Sequence, residues 1–185
     1  NSVFFIKIHL LSHPVAKITS VKDKITIIKP GYKVKAKGTF NLEDLYVELN
    51  QWFLHMGYEW KELEYKVVAQ RAGSQRLELL WEGRKKIDDY STFVLQLNLG
   101  ADITDVEVPL DTGAKVKRQK GGLEFRSGAW IERNTAAWET KPLGNVLVKL
   151  YEVLARDRLL AQKGQLYGEA HKLYDELKAF MMLYR

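Results

Sequence analysis

The sequence predicts an α+β protein: a curved antiparallel β-sheet with one helix after the first core strand and one or two long C-terminal helices, preceded by an N-terminal β arm. Three observations predict it. Apolar and polar residues alternate with period two in short blocks between residues 3 and 133, as in half-buried strands. Helical spacing of apolar residues replaces that alternation at residues 42–56 and again from residue 143, which marks amphipathic helices. Short polar or glycine-containing turns separate most of the strand blocks, and such turns join antiparallel neighbours. With 185 residues, 46% hydrophobic and 28% charged, the chain has the composition of one ordinary globular domain carrying an appendage. Collagen-like, mucin-like and wholly disordered chains are excluded.

The first element is a β arm over residues 1–31. Phe4, Ile6, Ile8 and Leu10 share one face of a strand, residues 15–21 and 24–29 form two more short strands, and Pro30-Gly31 ends the arm. The α+β core spans 32–140 and opens with an amphipathic strand: Tyr32, Val34, Ala36 and Phe40 face one way, Lys33, Lys35 and Lys37 the other. Asn41 then reads as a helix N-cap with Asp44 at the capping-box position and Phe40 stapled onto Leu45. Leu42, Leu45, Tyr46, Leu49, Trp52, Phe53 and Met56 recur at helical spacing up to Gly57, a suitable C′ residue. Strands are predicted at 58–70, 76–86, 90–99, 103–108, 114–120 and 123–133, with turns at residues 72–74, Asp88-Asp89, residues 111–113 and Gly121-Gly122.

A helical segment, 141–185, begins after Thr140 with an early proline. Leu143, Val146, Leu147, Leu150 and Leu154 form one stripe. Leu159, Leu166, Ala170, Leu173, Leu177, Phe180 and Tyr184 form a heptad-type seam, flanked by Leu160, Tyr167, Tyr174 and Met181. The G-x-x-x-G at Gly164 and Gly168 marks a close helix approach or a break between two helices.

Charge is segregated along the chain. The net charge is +6, yet residues 1–40 carry eight lysines and one acid, and residues 41–140 carry 13 basic against 17 acidic residues. A basic front joined to an acidic middle suits a like subunit at least as well as a polyanion. Three basic elements offer polyanion contact: the Lys33/Lys35/Lys37 face, Arg84-Lys85-Lys86, and Lys115, Lys117 and Arg118. Aromatic platforms are missing from the Lys33/Lys35/Lys37 face, and no RRM or KH signature follows.

Recognisable catalytic motifs are missing too. Cysteine is absent, which removes thiolate chemistry and disulfides. There is no G-x-S-x-G elbow, no S-x-x-K pair and no phosphate-cradling glycine loop. His9, His13, His55 and His171 are scattered, and Asp102, Asp105 and Glu107 lack the length and glycine of a calcium loop. No catalytic residue, cofactor or metal is therefore assigned, and no run is long enough for a spanning helix.

The order of elements, a helix after one strand, a meander and a long C-terminal helix, resembles the helix-grip architecture, which implies closure of a helix over the sheet and a cavity for an apolar ligand, with Trp52, Trp60, Trp81 and Trp130 as lining. Residues 38–46 (Gly38 to Tyr46), 86–90 (Lys86 to Tyr90) and 178–180 make the stretch 32–185 similar to a family of uncharacterised archaeal and viral proteins. That resemblance implies no activity and points toward virion or other assembly proteins.

The resulting expectation is a non-enzymatic structural protein, cytoplasmic or in a virion, that forms homo-oligomers or a larger assembly with other subunits. Its interface residues would be Phe4, Ile6, Ile8 and Leu10 of the arm, added to a sheet edge of a neighbour, with Leu166, Leu173 and Phe180 as a second contact. A helix-grip binder of a small apolar ligand and a nucleic-acid-binding protein using the Lys33/Lys35/Lys37 face are the alternatives.

Overall fold

A computed structural model describes residues 23–70, 73–109, 115–135 and 143–183. Eight elements follow in order: β1 (Lys24–Phe40), α1 (Leu42–His55), β2 (Glu59–Ala69), β3 (Ser74–Lys86), β4 (Ser91–Pro109), β5 (Lys115–Arg133), α2 (Gly144–Leu154) and α3 (Arg156–Leu183). The five strands form one antiparallel sheet in the order β1-β5-β4-β3-β2, so the expected α+β class holds. Helix α1 carries the chain from one sheet edge to the other, and the meander β2 to β5 returns it.

Four predicted strands are two in the structure. The blocks 90–99 and 103–108 are the single strand β4, and 114–120 and 123–133 are β5. Gly121-Gly122 is not a turn: Gly121 pairs with both Gly38 and Ile103, Gly122 with Lys37 and Asp102. A Cβ on Gly121 would collide with the backbone oxygen of Asp102. Glycine is there to let two backbones approach, one of the meanings glycine has inside a strand.

The boundary expected at residue 31 falls inside β1. Lys24 to Ile28 pair with Glu132 to Ala129, and pairing resumes at Tyr32 opposite Ser127. Between Ile28 and Tyr32, β1 therefore carries two more residues than β5, a bulge that absorbs Pro30 and Gly31. The strand expected at 24–29 thus belongs to the core sheet. Those expected at 3–11 and 15–21, with Phe4, Ile6, Ile8 and Leu10, lie outside the described residues, as do the turn at 111–113 and the helix start at Thr140-Lys141-Pro142.

Helix α1 matches its predicted span. Asn41 stands at the N-cap but makes no side-chain capping bond; instead the Gln119 side-chain oxygen accepts from Leu42 N–H at 3.3 Å. Gln119, on β5, thus supplies an acceptor of the kind Asn41 was expected to supply. At the other end Gly57 has φ +78 and donates to the Leu54 carbonyl, as a left-handed terminator should.

The core lies on one face of the sheet. Leu77, Leu79 and Trp81 of β3, Phe93, Leu95, Leu97 and Leu99 of β4, and Leu123, Phe125 and Ile131 of β5 are buried there with Leu45, Leu49 and Phe53 of α1. From α3, Leu166, Ala170, Leu173, Tyr174, Leu177, Phe180 and Met181 close the same core. The heptad-type seam is therefore real from Leu166 to Phe180, with Tyr184 outside the described residues, but a β-sheet covers it rather than a second coil. Gly164 and Gly168 sit inside the continuous α3 with nothing within 4 Å of an added Cβ, so they mark neither a close approach nor a break. The helix break is at Ala155, between α2 and α3.

Candidate functional site

Three regions qualify, and each takes its character from which side chains find partners. The first is a polar latch that ties α3 to β3 and to the α1–β2 connection. Glu169 of α3 is 7% exposed and accepts from Tyr58 Oη at 2.6 Å, Lys85 Nζ at 2.9 Å and Gln165 Nε2 at 2.8 Å. Burial by itself raises a carboxyl pKa, but these three donors outweigh it, and Glu169 stays below the ordinary glutamate value. The same burial, with the hydrogen bond to Glu169, pushes the Tyr58 hydroxyl far above its ordinary 10.0.

Tyr90 and Tyr174 share that direction. Tyr90 is raised by burial and by its 2.8 Å bond to Glu152 of α2; Tyr174, which bonds Ser127, is raised by burial. An unfolded tyrosine ionises near pH 10. These folded-state pKa values lie higher, so their stabilising contribution is complete below pH 10 and is lost as pH rises through the folded values. Urea midpoints are expected to fall between about pH 9 and about pH 11, and an unchanged midpoint would contradict the buried, bonded state of these hydroxyls.

The second region is the sheet face opposite the helices. Sheet register sets Lys35, Glu124, Gly100, Glu78 and Lys66 in one row across β1, β5, β4, β3 and β2, and Lys37, Gly122, Asp102 and Arg76 in the next. Glu124 binds Lys35 at 2.6 Å and Arg126 at 2.5 Å, and hydrogen bonds from these two cations hold its pKa down to about 2. Arg76 bridges Glu78 at 2.9 Å and Asp102 at 3.3 Å, while Lys66 reaches Glu78 at 3.5 Å. Exposed pairs of this kind contribute little stability each. They do neutralise the face, and between them lies a cleft of about 730 Å³.

The predicted polyanion contacts are thereby redistributed. Lys35 and Lys33 both engage Glu124, the latter at 3.9 Å. Arg84 pairs with Glu82 and Glu132, Lys85 with Glu169, and Lys86 with Asp89. Lys115 pairs with Glu107 at 3.3 Å, Lys117 stands opposite Glu107 in register, and Arg118 donates to the Lys117 carbonyl. Lys37 is the member of the first lysine row with no carboxylate partner among the described residues. The acidic patch is consumed likewise: Asp105 accepts from Gln119 and Asp102 from Arg76. Among the described residues no group of three or more metal-ligating side chains gathers, and no helix is long and apolar enough to cross a membrane.

The tryptophans expected to line a cavity pack on one another and their neighbours. Trp60 and Trp81 stack with centroids 5.3 Å apart, Phe53 lies 4.7 Å from Trp60, and Trp52 meets Phe53 at 5.2 Å. Trp130 is on the other face, under Lys24 Nζ at 3.2 Å.

The third region is apolar surface left open. Strand β2 is a sheet edge whose residues are exposed except for the half-buried Trp60. Leu63, Tyr65, Val67 and Val68 are large, apolar and open, Tyr65 by 62%. At the N-cap of α2 and along it, Leu143, Val146, Leu147, Leu150, Val153 and Leu154 are exposed apolar residues, Leu154 by 78%, while Tyr151 stacks on Tyr90 and Glu152 joins Arg133, which also holds Asp23. The interface residues expected on the C-terminal helix need correcting here. Leu166, Leu173 and Phe180 are buried in the chain's own core, because the sheet needs a cover. Among the described residues, α2 carries an uncovered apolar stripe.

No family model matches the chain, and neither a curated protein nor a solved structure matches it. The functional reading therefore stands on the geometry.

Proposed function

We propose that the chain is a non-enzymatic assembly subunit that associates with copies of itself by strand addition at the outer edge of β2. The observation that carries this reading is the unequal protection of the two sheet edges. An edge strand offers unpaired backbone N–H and C=O groups, and proteins that must stay apart blunt it with lysine, proline or a bulge. The β1 edge has all three: Lys24, Lys29, Lys33, Lys35 and Lys37, Pro30, and the bulge between Ile28 and Tyr32. Strand β2 has two lysines, Lys61 and Lys66, against the five of β1, has no proline, and carries Tyr65, Val67 and Val68 in the open. One register shift near Leu63 is its only interruption.

The added strand would be residues 3–11 of a neighbouring copy, whose alternation of Phe4, Ile6, Ile8 and Leu10 matches an edge that needs apolar cover. Main-chain bonds then supply affinity, and the basic front of one copy meets a middle region rich in acids, which assists encounter. The exposed stripe on α2 is a second apolar surface that a partner could cover.

Replacing Tyr65 and Val67 together by lysine puts edge-blunting charges on β2 without touching a buried residue. The double variant is expected to keep its circular dichroism spectrum and to lose self-association in light scattering. Unchanged association would exclude the β2 edge.

A further inference from the structure

The cleft on the open sheet face reaches β2 only through Glu64, and its floor, on β4 and β5, is the reason to take it seriously. Gly100 and Gly122 lie in strand interiors, where glycine weakens a sheet. Neither is needed for fit: an added Cβ would meet its nearest atom at 4.0 Å at Gly100 and at 3.8 Å at Gly122, ordinary contact distances. The contrast is with Gly121 and Gly83, where a Cβ would strike the Asp102 backbone and the Phe53 ring. Those two glycines serve the fold. Gly100 and Gly122 instead keep open a cleft of about 730 Å³, a size that suits a small ligand.

Hydrogen-bonding capacity in the lining defines the ligand's charge. The carboxylates at the centre are engaged: Glu124 by Lys35 and Arg126, both Glu78 oxygens by Arg76 and Lys66, both Asp102 oxygens by Arg76; the remaining lining carboxylate, Glu64, lies on the edge strand β2, two strands from Gly100. Donors remain. A guanidinium has five N–H groups; Arg126 uses its Nε and Arg76 its Nε and Nη1 on these acids. The ammonium of Lys37, beside Gly122, has no carboxylate partner among the described residues.

We infer that this cleft binds a small organic anion, a carboxylate or a phosphate ester, over Gly100 and Gly122, with Lys37, Arg76 and Arg126 as its donors. A lysine with no carboxylate partner among the described residues, next to a bare floor whose central carboxylates are already engaged, accommodates an anionic ligand.

The test is a titration of the isotopically labelled full chain with citrate, inorganic phosphate and adenosine monophosphate at about 0.15 M salt, where diffuse attraction is screened. The expected result is saturable movement of the amide signals of residues 98–102 and 122–126. Preference for citrate identifies a carboxylate site; preference for either phosphate identifies a phosphate site. Lys37→Glu and Gly122→Val are each expected to weaken binding at least tenfold, and Gly122→Ala to leave the melting temperature unchanged or higher. No saturable shift with any of the three probes, or binding unaltered by both Lys37→Glu and Gly122→Val, overturns the inference. A large drop in melting temperature for Gly122→Ala also overturns it, since that glycine would then serve the fold.

Discussion

Glu169→Ala is expected to destabilise the protein by about 3–5 kcal/mol, the range for breaking a buried ion pair by removing one partner. The carboxylate collects Tyr58, Lys85 and Gln165. Its loss leaves the half-buried Lys85 ammonium and the Tyr58 hydroxyl without their acceptor, and unsatisfied buried polar groups retain their full desolvation cost. The three donors come from the α1–β2 connection, from β3 and from α3 itself, so the change also loosens the helix from the sheet. Urea denaturation measures it. Glu169→Gln keeps an acceptor and the shape, and is expected to fall between the wild type and the alanine variant. A loss under about 1 kcal/mol for Glu169→Ala, no more than an ordinary hydrogen bond contributes, would mean that water satisfies these donors and that the latch is not structural.

The second large effect concerns the seam of α3. Leu173→Asp is expected to leave the chain largely unfolded at 25 °C. Removing a buried leucine side chain costs about 2–5 kcal/mol, and an unpaired carboxylate in its place adds several more, against a total stability of about 5–15 kcal/mol for a typical domain. Leu166 and Phe180, equally buried, should behave in the same way. Circular dichroism and sedimentation together separate the two uses of this stripe. An unfolded product matches its place in the core; a folded monomer would show that the seam is a subunit contact instead.

These residues also show what was legible in the sequence. Spacing of Leu166, Ala170, Leu173 and Leu177 located the helix and its apolar face, because period reports local geometry. It could not say what covers that face: a sheet and a partner helix demand the same stripe. Glu169 was visible as a charged residue inside the seam, and that was the available signal for the latch; its donors sit 84 and 111 positions away in sequence at Lys85 and Tyr58, beyond any local pattern. Gly121-Gly122 looked like a turn, since glycine pairs usually are. The structure uses one for close strand approach and the other as cleft floor, and that distinction depends on neighbours across the sheet. The lysine row of β1 was correctly placed on one face. Its partner Glu124 is supplied by pairing with β5, so the apparent free charge of Lys33 and Lys35 was an effect of reading one strand alone.

Pairing also determines where the arm can be cut. Since residues 24–31 are part of β1, removing 1–31 would damage the sheet, whereas removing 1–22 spares every described strand. Sedimentation of the full chain beside the chain lacking residues 1–22 is thus the direct measurement of the assembly proposal. The full chain should sediment as an oligomer at tens of micromolar, and the shortened chain as a folded monomer near its own mass. Identical masses for the two, or a monomeric full chain, would contradict it.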